Sequence, residues 1–187
     1  SINRDNIVLR VIEKTKDIYK AQDLWLIFAP IKHHRMSIII QKATELGVSK
    51  IIPCLTNYSN LRSVNINNLQ LNAIEAAEQS ERTDIPIVEK TVHLQTLLNS
   101  WPEDRCLVYC DEKIDHDKNI IKTLLTLKSN FKKWAVLVGP EGGFSDSEKV
   151  LISENKNVIT VSLSNRLLRS DTAVIVALFC IQELVNE

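Results

Sequence analysis

Neither charge sign is in excess in this chain of 187 residues: 23 Lys and Arg stand against 23 Asp and Glu. Proteins that coat phosphates without regard to sequence usually carry a basic surplus, so the balance weighs against that role but not against an enzyme gripping a small nucleic-acid surface. A mild basic bias is confined to residues 1–35, where seven Lys and Arg face four acids, with His33 and His34 beside them. No apolar run reaches membrane-span length, and Ser1 opens no signal peptide, so a soluble, cytoplasmic protein is expected. Cys54, Cys106, Cys110 and Cys180 have no C-x-x-C spacing, and His93 and His116 lack metal-ligand partners, so no metal site is expected. The cysteines read as small buried hydrophobes of a reducing compartment. Glycine is scarce too, four in all, and three of the four crowd into one loop.

What is present is a core-forming composition, 44% hydrophobic against 25% charged, which excludes a disordered chain. Residues 7–12 and 24–29 read as strands. From Pro30 onward helical and strand periodicities alternate. A helix is expected over 34–46, with Gly47 as its C′ glycine. A strand follows over 50–55, in which Pro53 argues for an edge or an end. Further helices are expected over 69–80, 93–101, 120–127, 145–155 and 170–187, and further strands over 88–91, 105–111, 134–138 and 158–163. Ser145 and Glu148 have the spacing of a capping box. Alternation of this kind predicts an α/β domain, a parallel sheet with helices on both faces. Ligands of such sheets bind beyond the carboxyl ends of the strands, which singles out the loops after Asp111, Val138 and Leu163.

Two of those loops stand out. Val138-Gly139-Pro140-Glu141-Gly142-Gly143-Phe144-Ser145 is neither a dinucleotide fingerprint nor a P-loop, and no lysine is placed for a β- or γ-phosphate. Its glycines allow positive φ and close backbone approach to a ligand, although a tight strand-to-helix turn would need the same. In the run from Ser162 to Ala173, Arg166 and Arg169 bracket Leu167 and Leu168, and Ser170 or Asp171 can cap the next helix. Apolar side chains and backbone groups suit an adenine face, and arginine suits a phosphate or a developing negative charge; a surface arginine pair flanking core leucines is the alternative.

Four pieces, KATELGVSKIIP (42–53), EAAEQSERTDIP (75–86), VGPEGGFSDSE (138–148) and LSNRLLRSDTA (163–173), together resemble the ribosomal RNA small subunit methyltransferase E family of the SPOUT class, across residues 30–185. The resemblance implies S-adenosylmethionine-dependent methylation of N3 of a uridine in 16S rRNA. It implies a trefoil-knotted, homodimeric methyltransferase domain, here residues 23–187, preceded by a remnant of a PUA-like β-barrel in residues 1–22. It implies cofactor contacts from Val138, Gly139, Gly142, Gly143, Leu163, Asn165, Arg166, Leu167, Leu168 and Thr172, with Cys110, Asp111 and Glu112 on the ribose side. Arg35, Gln79 and Arg82 are expected to meet the RNA. Methylating N3 requires an unpaired base and spreads charge onto the flanking carbonyl oxygens, for which Arg169 is the candidate stabiliser. Glu141 and Asp171 are the candidate bases. Rival readings are a SPOUT enzyme acting on tRNA, a non-catalytic RNA-binding module, and a dinucleotide-binding domain, the last opposed by the missing G-x-G-x-x-G.

Overall fold

The computed structural model describes residues 8–17, 22–114 and 116–185. In chain order the elements are β1 (Leu24–Phe28), α1 (His33–Glu45), β2 (Lys50–Leu55), α2 (Ile66–Gln79), β3 (Ile87–Val88), β4 (Val92–His93), α3 (Leu94–Asn99), β5 (Arg105–Cys110), α4 (Ile120–Leu127), β6 (Lys133–Val138), α5 (Asp146–Ser153), β7 (Val158–Val161) and α6 (Ser170–Val185). Every strand pairing is parallel, in the order β3-β2-β1-β6-β5-β7, with β4 beside β2. The expected parallel α/β sheet is therefore present.

Period-two alternation divides the core. Leu24, Leu26 and Phe28 of β1, with Trp134, Val136 and Val138 of β6, face α1, α2, α4 and α6. Ile27, Ala135 and Leu137 face the other way, against α3 and α5. A strand covered on both faces has to be apolar at nearly every position, as LWLIF and KWAVLV are. Helices thus lie on both faces, as expected.

Local signals explain the element ends. Gly47 takes φ 77° after α1, the left-handed C′ position that glycine enters without a Cβ penalty. Ser145 and Glu148 form the capping box at α5. α2 begins at Ile66, before the expected 69, because the Asn65 side chain accepts the Asn68 N–H. The expected helix over 93–101 shortens to Leu94–Asn99, since His93 belongs to β4, and the strand expected over 88–91 resolves into β3 and β4.

Two expectations are corrected. Residues 8–12 form no strand, and Leu9, Val11 and Ile12 are 84–92% exposed. A β-rich sequence becomes a strand only against a neighbour, and none of the sheet's strands lies beside it; Ile7 falls outside the described residues. β2 is not an edge strand either, since β1 flanks one side and β3 and β4 the other. Lys50 and Ile51 pair with β3 and Cys54 and Leu55 with β4, so Pro53 sits where one short partner has ended and the next has not begun. Proline is tolerated there because no ladder donor is required.

At the amino ends of the central strands Arg105, 2% exposed, donates to Asp23 O at 2.8 Å and Trp134 O at 2.9 Å. It pairs with Asp23 Oδ1 at 2.7 Å and lies 3.5 Å from the Trp25 ring centroid. One buried guanidinium thus ties β5 to the chain entering β1 and to β6, holding in register the strands whose opposite ends carry the site. Leaving such a charge without its partner costs several kcal/mol, roughly 3–5 when fully buried. Among the described residues no helix is long and apolar enough to cross a membrane.

Candidate functional site

β6, β5 and β7 are neighbours, so the segments leaving their carboxyl ends meet. They enclose a cleft of about 340 Å³ lined by Tyr109–Lys113, Val138–Phe144, Ser162–Ser164, Arg166–Ser170, Lys149 and Ala173. All three loops picked out in the sequence contribute. Of the expected cofactor residues, Asp111, Val138, Gly139, Gly142, Gly143, Leu163, Arg166, Leu167 and Leu168 line the cleft, as do Cys110, Glu112, Glu141 and Arg169. Asn165 and Thr172 stand outside the lining, and Thr172 donates its backbone N–H to Asp171 Oδ1 at 3.1 Å.

The glycines have specific duties. A Cβ on Gly139 would lie 2.6 Å from Phe144 Cε2, so backbone must pass directly over that ring. Phe144 in turn packs edge-on against Tyr109 with centroids 5.2 Å apart. Gly143 adopts φ 69°, and Gly142 approaches Tyr58.

Hydrogen bonds hold the loops together. Ser170 donates to Gly139 O at 3.0 Å, stitching the start of α6 to the glycine loop. Ser170 is already the first residue of α6, so it is not the residue preceding the helix, where a cap sits. Arg169 O accepts the Ala173 N–H at 2.8 Å, which fixes the Arg169 backbone at the helix start. Among the described residues its guanidinium has no ion pair, and Asp171 is not its partner. The β5 loop is tied to β7 by Asp111 N donating to Val161 O at 3.0 Å.

A fourth segment, which sequence reasoning passed over, braces the glycine loop. Residues 56–60 follow β2; Asn57 N donates to Glu148 Oε1 at 2.8 Å, and Asn57 Nδ2 donates to Ser145 Oγ at 2.7 Å. Asn60 Nδ2 donates to Glu141 Oε2 at 2.9 Å, and Arg35 Nη1 stands 3.7 Å from Glu141 Oε1. The Glu141 carboxylate is thus engaged on both oxygens. Arg82 lies away from the cleft: its guanidinium bonds the carbonyls of Thr44 and Val48 and the Asp84 carboxylate. Gln79 is exposed at the end of α2.

The cleft is electrostatically mixed, with Lys113, Lys149, Arg166 and Arg169 among Asp111, Glu112 and Glu141. Burial, with Cys180 nearby, pushes the Cys110 thiol up, and burial, then the Asp111 charge, raises the Tyr109 hydroxyl. Both stay protonated and neutral at physiological pH. Behind the glycine loop, burial and the Glu148 charge push Cys54 up to about 12. No cysteine here is a poised nucleophile. Among the described residues no cluster of His, Cys, Asp and Glu could hold a metal ion.

A family model described as RNA methyltransferase domain matches residues 19–182. A Rickettsia conorii protein named ribosomal RNA small subunit methyltransferase E is 36% identical, over 95% of this chain and 71% of its own length. A Bacillus subtilis protein of the same name is 31% identical, over 97% and 74%. A crystal structure of a ribosomal RNA small subunit methyltransferase E from Neisseria gonorrhoeae, bound to S-adenosyl methionine, superposes with a TM-score of 0.74 at 26% identity. A methyltransferase of Legionella pneumophila with bound S-adenosyl methionine gives 0.73 at 28%. Each superposition covers 87% of this chain, which spans 66% of either solved chain.

Proposed function

This chain belongs to the RNA methyltransferase domain family, and from that premise we propose that it methylates small-subunit ribosomal RNA with S-adenosylmethionine, at N3 of a uridine in 16S rRNA and in the cytoplasm. The observation that carries the proposal is the meeting of the 138–144 and 162–170 segments across one cleft.

The residues present fit the cofactor. Gly139 has no room for a side chain, so peptide groups form that wall; Leu163, Leu167 and Leu168 offer apolar surface, and Asp111 and Glu112 offer acceptors for sugar hydroxyls. Asn165 and Thr172, outside the lining, keep supporting roles in this reading. When bound, S-adenosylmethionine supplies an activated methyl group. The chain's own part is to position, exclude water and stabilise charge. Arg169, at the cleft and without an ion-pair partner among the described residues, serves the uracil oxygens that gain charge as N3 loses its proton. Glu141, already engaged by Arg35 and Asn60, acts as an anchor of the glycine loop in preference to a base. Asp171 lies outside the cleft lining and its carboxylate accepts the Thr172 N–H, so neither carboxylate is assigned as the base. The nearness of Arg35 to the cleft, through Glu141, supports an RNA contact there; Gln79 would meet RNA only at a separate surface, and the Arg82 guanidinium, 11% exposed and engaged by Thr44, Val48 and Asp84, serves the fold instead.

The proposal includes the knotted chain path and a homodimer. From Ala173 to Ile181 α6 is apolar on all sides, and Phe179 on it is 53% exposed, a surface that a second copy would cover. Sedimentation equilibrium should return twice the mass of one chain; a single-chain mass at working concentration counts against the dimer. For the activity, labelled methyl groups should pass from cofactor to undermethylated small ribosomal subunits and not to bulk tRNA. Labelling of tRNA alone would favour the tRNA-directed reading, and no labelling of either would favour a non-catalytic module.

A further inference from the structure

We propose that Tyr58 is a stacking platform for a nucleobase of the RNA substrate, at the rim of the cleft beside Gly142; this rests on the proposed function and adds a substrate contact to it. Among the described residues, Tyr58 and Phe179 are the exposed aromatics, 52% and 53% accessible, and Phe179 belongs to the apolar face of α6. A half-exposed tyrosine is ordinary by itself, and what sets Tyr58 apart is its place and its anchoring. Here the loop adjoins the proposed site of methyl transfer.

The loop is also held more firmly than an incidental surface turn needs. Thr56 N donates to Ser59 Oγ at 2.9 Å, and Ser59 N returns a bond to Thr56 O at 3.1 Å, closing the turn around Tyr58. Asn57 on one side is fixed to Glu148 and Ser145, and Asn60 on the other to Glu141. Those anchors belong to the glycine loop and the start of α5, so the ring is carried by the cleft wall itself. A Cβ on Gly142 would lie 3.3 Å from Tyr58 Cβ and 3.7 Å from its Cγ, so the glycine keeps the space beside the ring clear of side chain. Residues 56–60, TNYSN, carry no carboxylate that would repel a phosphate backbone.

Sequence-specific RNA recognition takes unpaired bases that are splayed out and stacked on aromatic rings. An aromatic on a pre-ordered loop makes that contact without a further ordering cost. Stacking is contributed by the ring face, so Tyr58→Phe should preserve it, whereas Tyr58→Leu keeps bulk without the π-surface.

Two measurements on the full chain test this. Anisotropy of a labelled single-stranded oligonucleotide carrying the target uridine reads the stacking directly, in the presence of S-adenosylhomocysteine. Calorimetry with S-adenosylhomocysteine reads the cleft alone. Tyr58→Ala and Tyr58→Leu should weaken oligonucleotide binding about fivefold or more, the loss expected when one base gives up its aromatic stack. Tyr58→Phe should stay within about twofold, and all three should bind S-adenosylhomocysteine as the unmodified chain does. Equal oligonucleotide affinity for the Ala variant and the unmodified chain would overturn the stacking role, and so would absence of oligonucleotide binding by the unmodified chain. A parallel loss of S-adenosylhomocysteine binding in the Ala variant would make Tyr58 a cleft wall instead. Failure of the unmodified chain to bind S-adenosylhomocysteine would sink the methyltransferase reading, a result distinct from any of these.

Discussion

Replacing Arg169 by alanine should reduce methyl transfer about 10²–10³-fold while leaving the affinity for S-adenosylhomocysteine within about threefold. The reasoning runs from position to charge. Arg169 lines the cleft, its backbone is set by the start of α6, and no carboxylate among the described residues competes for its guanidinium. Uracil N3 carries its proton between two carbonyl groups, so loss of that proton places negative charge on oxygens that a planar, forked donor can meet. An interaction that strengthens only as charge develops lowers the barrier without tightening the ground state. Removing one such donor costs about 2.7–4 kcal/mol of transition-state stabilisation. Arg169→Lys should recover only part of the rate, because an ammonium keeps the charge and loses the fork. Single-turnover rates beside calorimetric affinities separate the two effects. A cofactor affinity that falls as steeply as turnover would make Arg169 a cofactor ligand.

The second large effect is expected at Gly139. Alanine there puts a methyl group 2.6 Å from the Phe144 ring, which is itself buried and braced by Tyr109. A ring held on its other side cannot yield as a flexible side chain would, so the loop must move or the packing must open. Overpacking of this kind costs about 1–3 kcal/mol. Because the Ser170 hydroxyl is bonded to Gly139 O, the displacement reaches the start of α6 as well. Gly139→Ala should therefore weaken S-adenosylhomocysteine binding at least tenfold, with a thermal transition that is lowered but still cooperative. Gly143→Ala is the informative contrast. Its φ of 69° is strained for alanine, but nothing lies within 4 Å of the added methyl. That strain is about 1–2 kcal/mol and local, so the loss of affinity should be smaller. Equal binding by the Gly139→Ala and unmodified chains would remove the glycine loop from the site.

Much of this site could be read from local pattern because its signals are local. Gly47 ends a helix, Ser145 and Glu148 start one, and the order strand, glycine loop, capped helix occurs over a few residues in 134–148. Beyond that point the physics is long-range. Asn57 meets Glu148 across 91 positions and Asn60 meets Glu141 across 81, and nothing in TNYSN marks it as a brace. Ser170 has the composition of a cap and bonds a carbonyl 31 residues away. Arg105 reads as a polar start to an apolar strand, yet its charge is buried between Asp23 and Trp25. Pro53 shows the same limit from the other side. Its missing N–H argues for an edge, and only the split between β3 and β4 reveals how an interior strand accommodates it. Residues 8–12 have strand composition without a partner strand, and composition alone cannot supply one.

The most direct test is a crystal structure of this chain grown with S-adenosylhomocysteine. The ligand should lie between residues 138–143 and 163–169, with its adenine against the Leu163 and Leu167–Leu168 side and its sulfur within reach of a base that Arg169 can meet. A ligand seated at any other surface, or crystals at saturating ligand with the two loops empty, would contradict the account.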